Sequence, residues 1–206
     1  MTRLALPTAR GKTRSRMTYE QFLQWDGDNQ HVEWVNGEVV PMTPISDEHN
    51  LLSTYLIRLL GEFVEHFGLG QIRTDPFQMK TGPDLPGRAP DILFVTRRRA
   101  NLIRKTYLDG PADLVIEIIS PDSRTIDRVT KFREYEQGGV REYWLLDPER
   151  RRAEFYRRGR DGRFRLIQLG DDGIYRSAVV RGLWLHIDWL WARTTLTEVR
   201  REWSLS

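Results

Sequence analysis

One segment, Asp113-Leu-Val-Ile-Glu-Ile-Ile119, constrains this chain more than any other. It is apolar on both faces apart from Glu117, which reads as a strand covered on both sides in the middle of a sheet. Alternation puts Leu114, Ile116 and Ile118 on one face and Val115, Glu117 and Ile119 on the other. A carboxylate on a covered face is costly unless a cation, a metal or a proton compensates it. The blander readings put Glu117 at an exposed strand end or beside a buried arginine.

The segments around it read as a mixed α/β fold. Thr18-Tyr-Glu-Gln21 has the form of a capping box, opening a short helix with Phe22, Leu23 and Trp25 on its apolar face. Asn36-Gly37, inside His31 to Val40, is a strong hairpin signal. Ser46 or Asp47 caps a helix running to Phe67, where Leu52, Tyr55, Leu56, Leu59, Leu60, Phe63, Val64 and Phe67 recur at helical spacing and Gly68 stops it. Gln71 to Lys80 is strand-like, TGPDLPGRAP is a loop, and Asp91 to Val95 is a strand. Asp127 to Gln137 reads as a helix ended by Gly138-Gly139, Glu142 to Asp147 as a strand, and the remainder as short strands (Ala153–Tyr156, Phe164–Leu169) and turns. This order predicts a mixed sheet flanked by helices, with an N-terminal helix and hairpin and extra C-terminal strands. Trp184, Trp189 and Trp191 read as core rather than as a dimer seam.

At 206 residues, 39% hydrophobic and 30% charged, the chain suits one packed domain over 17–206. Residues 1–16 carry five cations and no acid. They read as a solvated basic tail; a transit peptide, or a start at Met17, is the other reading. The formal charge of +3 resides there, because the remainder has 27 cations against 29 acids. With no Cys, disulfides, zinc–thiolate sites, iron–sulfur clusters and cysteine nucleophiles are excluded, and a reducing compartment, the cytoplasm, is the expectation. No apolar run approaches the roughly 18 residues of a membrane helix, and no Gly-rich phosphate loop points to an organic cofactor.

Two further residues bear on chemistry. Asp91 opens a core strand directly after Pro90. Pro-Asp is ordinary turn chemistry, yet carboxylates on successive core strands can lie side by side, and converging oxygen ligands suit Mg²⁺. Lys131 lies four residues after Asp127 and four before Tyr135. A solvent-facing Asp–Lys pair is the bland account. The chain, however, has only four lysines among 32 cations, and a lysine can orient a water or help deprotonate it where a guanidinium cannot do the second.

Taken together, Pro90-Asp91, DLVIEIISPDSR, Asp127 to Tyr135 and GGVREYWLLDPERR, with MTYEQFL, HVEWVNGEVVPMTP and SDEHNLL before them, resemble the Uma-two family of restriction-endonuclease-like proteins. The match runs from Met17 to about Arg152 and more loosely to Trp191. Resemblance implies the PD-(D/E)XK nuclease fold, a central mixed sheet of about four strands flanked by helices, and Mg²⁺-dependent phosphodiester hydrolysis with Mn²⁺ as a substitute. It assigns Asp91 and Glu117 as metal ligands. The superfamily lysine two residues after the glutamate is replaced by Ile119, and Lys131 on the following helix stands in for it. Glu33 matches a family position able to add a ligand or an outer carboxylate. His49 matches one with a capping or phosphate-contacting role. Tyr135 is assigned to packing or hydrogen bonding, and Asp127 to an accessory place beside Lys131.

Basic runs add the electrostatic side. Arg97-Arg98-Arg99 with Arg104 are the candidate nucleic-acid contacts, and Arg150 to Arg165 holds eight more arginines interspersed with acids. The expectation is a Mg²⁺-dependent DNA endonuclease, with homodimerisation inferred from the need to cut two strands. The Ile119 departure keeps a second reading open: a catalytically inactive nuclease-fold protein that binds nucleic acid or a protein partner. An enzyme acting on another anionic small molecule is the third.

Overall fold

The computed structural model describes residues 16–25, 32–42, 44–120 and 123–205. All but the last residue of the basic N-terminal stretch, and His31, lie outside the described residues. Local signals do what the sequence predicts at the start. The Thr18–Gln21 capping box opens α1 (Tyr19–Leu23), and Asn36-Gly37, both at positive φ, join β1 (Val32–Val35) to β2 (Glu38–Pro41). The Ser46 side chain accepts from the His49 amide and caps α2 (Asp47–His66).

Beyond α2 the pattern departs from expectation. Gln71 to Lys80 is two strands, β3 (Gly70–Thr74) and β4 (Gln78–Lys80), which belong to different sheets. Pro76 lies between them; lacking an N–H, it cannot serve a ladder, and the chain crosses from one sheet to the other there. The loop TGPDLPGRAP contains β5 (Gly87–Arg88). Gly87 passes so close beneath Tyr19 that a Cβ would sit 2.3 Å from its ring. Then come β6 (Ile92–Thr96), a 3₁₀ segment at Arg97–Leu102, β7 (Tyr107–Asp109) and β8 (Leu114–Ile118). The expected helix after β8 is a π-helical stretch, Ile126–Lys131, continuing into α3 (Phe132–Gly138). The C-terminal part comprises β9 (Glu142–Asp147), β10 (Arg152–Arg158), β11 (Phe164–Leu166), β12 (Ile174–Arg176), β13 (Trp184–His186), α4 (Ile187–Ala192) and α5 (Leu196–Glu202).

The main sheet has six strands in the order β11-β10-β9-β8-β6-β3, where about four were expected. The β9–β10 hairpin continues the ladder outward, which accounts for the extra strands. Within this sheet only β8 and β9 run parallel, joined by the π/α3 crossover. As the alternation predicts, Leu114, Ile116 and Ile118 face a core built on α2, β12, β13 and the C-terminal helices. Val115 and Ile119 face the opposite core, with Tyr135 and Tyr143. Trp189 is buried in the α2-side core, and Trp184 and Trp191 pack against it.

The N-terminal hairpin joins a second sheet, β2-β1-β5-β4-β7. Lys80 clamps α1 to it, its Nζ 4.9 Å from the Tyr19 ring centre and 4.7 Å from that of Trp34. A buried carboxylate pins the C-terminal strands: Glu142 accepts from Trp144 Nε1 (2.8 Å), Tyr175 OH (2.7 Å) and the Ala178 amide (2.8 Å). Among the described residues no helix is long and apolar enough to cross a membrane.

Candidate active site

The antiparallel register pairs Ile92 with Ile116, so Asp91, one residue before β6, stands opposite Glu117. The Ile118 amide donates to Asp91 Oδ2 at 2.6 Å, which ties that carboxylate to the end of β8. From the other side of the sheet, the first turn of α2 brings His49 Nε2 to 3.2 Å from Asp91 Oδ1. Glu117 is 3% exposed and points into the opposite core, so it is not at an exposed strand end. The Tyr135 hydroxyl donates to its Oε1 at 2.6 Å, and Lys131 Nζ lies 3.1 Å from its Oε2.

The π-helical stretch makes this delivery possible. An α-helix drifts by about 40° every four residues, whereas the wider π turn drifts the other way. A π segment followed by an α segment therefore keeps Asp127, Lys131 and Tyr135 on one stripe, and all three are buried. The Tyr143 hydroxyl, on β9, donates to the Asp127 carbonyl at 3.2 Å and holds the stretch to the sheet. Ile119 is core, and the lysine that reaches Glu117 comes from the crossover instead.

Three carboxylates surround Lys131. Glu117 is at 3.1 Å, Asp127 Oδ1 at 3.2 Å and Glu33 Oε1 at 3.8 Å, and the charge of Asp91 also acts on the ammonium. Burial works against the ammonium, yet these acids outweigh it and hold Lys131 well above the usual lysine range. Burial drives the Glu117 carboxyl well above the usual carboxylate range, with Asp91 and Asp127 adding to the push and Lys131 opposing it. Burial, then Glu117, likewise raises the Tyr135 phenol, so it stays protonated as a donor.

The sequence did not single out Arg88. It is 3% exposed, bonds Glu33 Oε2 at 2.9 Å through NH1, and grips Glu134 with Nε and NH2 at 2.8 and 2.9 Å. The Ala89 amide also donates to Glu33, at 3.2 Å. Arg88 thus joins the hairpin to α3 around the site. Its position in a Gly/Pro-rich stretch carried no periodic signal that could have marked it.

Seven of the sequence-predicted residues (Glu33, His49, Asp91, Glu117, Asp127, Lys131, Tyr135) converge here. The arginines do not. Arg97, Arg98 and Arg99 follow the far end of β6, roughly 20 Å of strand from Asp91. Arg99 is engaged with Asp113 (3.2 Å) and the Pro111 carbonyl (2.7 Å), and Arg104 with Asp109 (2.9 Å).

Among the described residues no group of three acidic or histidine side chains is disposed to hold a metal. The donor chemistry nevertheless fits a hard divalent cation. Oxygen-only carboxylates outnumber the cations that face them, and Asp127 Oδ1, buried, makes no hydrogen bond despite its nearness to Lys131. Magnesium takes one or two carboxylates and completes its shell with water and phosphate, so Asp91 and Glu117 suffice as a pair.

The Uma2 family model, described as "Putative restriction endonuclease", matches residues 19–188. Among solved structures, the fold is similar to that of a "putative nuclease belonging to DUF820" from Anabaena variabilis, with a TM-score of 0.70 and 17% identity, covering 85% of this chain and 98% of that one. No curated protein matches the chain.

Proposed function

The chain belongs to the Uma2 family, and on that premise we propose that it is a magnesium-dependent endonuclease that hydrolyses phosphodiester bonds in DNA, with manganese able to substitute. The observation that carries the reading is Lys131 Nζ 3.1 Å from Glu117, a carboxylate buried opposite Asp91. A core built for stability alone would gain nothing from three carboxylates converging on one lysine.

Asp91 and Glu117 would hold the cation, which when bound supplies Lewis-acid polarisation of the phosphate and a more acidic water. Tyr135 and His49 orient the two carboxylates by their hydrogen bonds. Lys131, held against Glu117, would orient the attacking water by donation and offset charge developing on phosphate. Asp127 and Glu33 hold the ammonium in place from either side.

The test is cleavage of plasmid and branched DNA with Mg²⁺ by wild type, Glu117→Gln and Lys131→Ala. Loss of about a hundredfold or more in both variants is expected. Activity surviving both substitutions would overturn the site, and absence of cleavage by the wild type, with salt-sensitive DNA binding retained, would favour a non-cleaving binder.

A further inference from the structure

We propose that Arg151 and Arg193, flanking Trp191 in a concavity beside the first turn of α2, bind the DNA substrate alongside the catalytic centre. The inference rests on the DNA-nuclease reading above and names the surface that reading lacks.

Strand direction makes the first argument. In the parallel β8–β9 pair Glu117 is opposite Leu145, so β9 runs past the carboxylates and ends in the turn that carries Arg151. Arg151 is thus on the order of 10 Å along the strand direction from the level of Glu117, against roughly 20 Å for Arg97 from Asp91. Helix α2 supplies the second. The turn that presents His49 to Asp91 also carries Glu48 and Leu51, which line the concavity together with Arg151, Trp191 and Arg193. The concavity therefore adjoins the Asp91 side of the site.

The chemistry of the lining is that of a nucleic-acid strand contact. Both arginines are exposed and carry no ion pair among the described residues, which leaves their charge available to phosphates. Trp191 and the exposed Leu51 supply flat apolar surface for a sugar or base. Glu48 is the one acid of the lining. The backbone adds an independent sign: Arg151 and Arg193 stand at φ 48 and φ 52, in the left-handed region where glycine is favoured. Glycine would satisfy both turns, so neither arginine side chain is needed by the backbone that carries it.

That last point yields a separating experiment. Arg151→Gly/Arg193→Gly removes both charges while relieving both backbones. Binding of a fluorescein-labelled DNA duplex is followed by anisotropy in EDTA across a salt series, beside thermal unfolding of the same proteins. The expected result is about tenfold or weaker affinity, with the slope of log Kd against log salt shallower by about two, at a melting temperature no lower than wild type. The control Arg181→Gln/Arg201→Gln, which removes two exposed charges at the other end of α2, leaves affinity and slope close to wild type. Wild-type affinity in the glycine variant, or an equal loss in the control, overturns this surface while a cleaving wild type keeps the nuclease reading. A wild type that neither binds nor cleaves DNA overturns both.

Discussion

Lys131 Nζ and Glu117 Oε2 are 3.1 Å apart in the interior of the protein, and the lysine serves more carboxylates than it can neutralise. The two partners should therefore differ in what their removal does. Lys131→Met strands buried acid and is expected to cost about 3–5 kcal/mol. Glu117→Gln removes surplus charge, leaves Asp127 and Glu33 on the lysine, and should be at least as stable as wild type in EDTA. Urea unfolding of the three proteins decides it; a Glu117→Gln protein as damaged as Lys131→Met would refute the charge surplus.

The same surplus predicts stabilisation by metal. Magnesium at a hundred times its Kd should raise unfolding free energy by about 2.7 kcal/mol in wild type, and Glu117→Gln should lose most of that gain. A melting temperature indifferent to Mg²⁺ and Mn²⁺ would remove the cation from the site.

Arg88 bridges Glu33 and Glu134 with its side chain 4% exposed. Truncation to Met leaves Glu134 without its cation and Glu33 with only the more distant Lys131, and is expected to cost about 3–5 kcal/mol. Adding Glu134→Gln should restore part of it, and strict additivity of the two changes in chemical denaturation would argue against the bridge.

Glu142 has three donors and no cation in its hydrogen bonds. Glu142→Ala should cost about 3 kcal/mol or more by orphaning Trp144, Tyr175 and the Ala178 amide. Protease cleavage should then appear first in the segment after β11, because that segment loses its tie to β9. Cleavage appearing first in the N-terminal sheet would contradict the assignment.

Asp113 supplies a pH dependence. Burial pushes its carboxyl up, but the Thr96 amide (2.8 Å), Arg99 (3.2 Å) and Arg141 (3.1 Å) prevail and hold it below its ordinary 3.8. A depressed folded value means stability present above the ordinary pKa and lost as pH falls through the folded one. Wild type should therefore exceed Asp113→Asn in stability at neutral pH. The gap should close in acid below 3.8, and a gap constant down to that range would contradict the sign.

Features that depend on neighbours a few residues apart are legible in the chain alone. The two-faced pattern of β8 marked Glu117 as a carboxylate in a covered strand. Ser46 and the spacing of α2 drew that helix, and Asn36-Gly37 drew the hairpin. The order of these segments carried the family resemblance, and with it Asp91 and Lys131. Tertiary structure decided what depends on partners far apart in the chain. Gln71 to Lys80 divides between two sheets because each half finds different strands to pair with. Glu33 and Lys131 meet only because the hairpin folds over the crossover, and Arg88, in a stretch with no period, becomes their brace. The arginine run that looked most basic in the sequence lies at the wrong end of β6 to reach Asp91, since strand direction assigns each end of a strand to an end of the sheet. Local periodicity encodes burial and conformation, whereas convergence of charge is a property of the sheet order and is absent from any window of sequence.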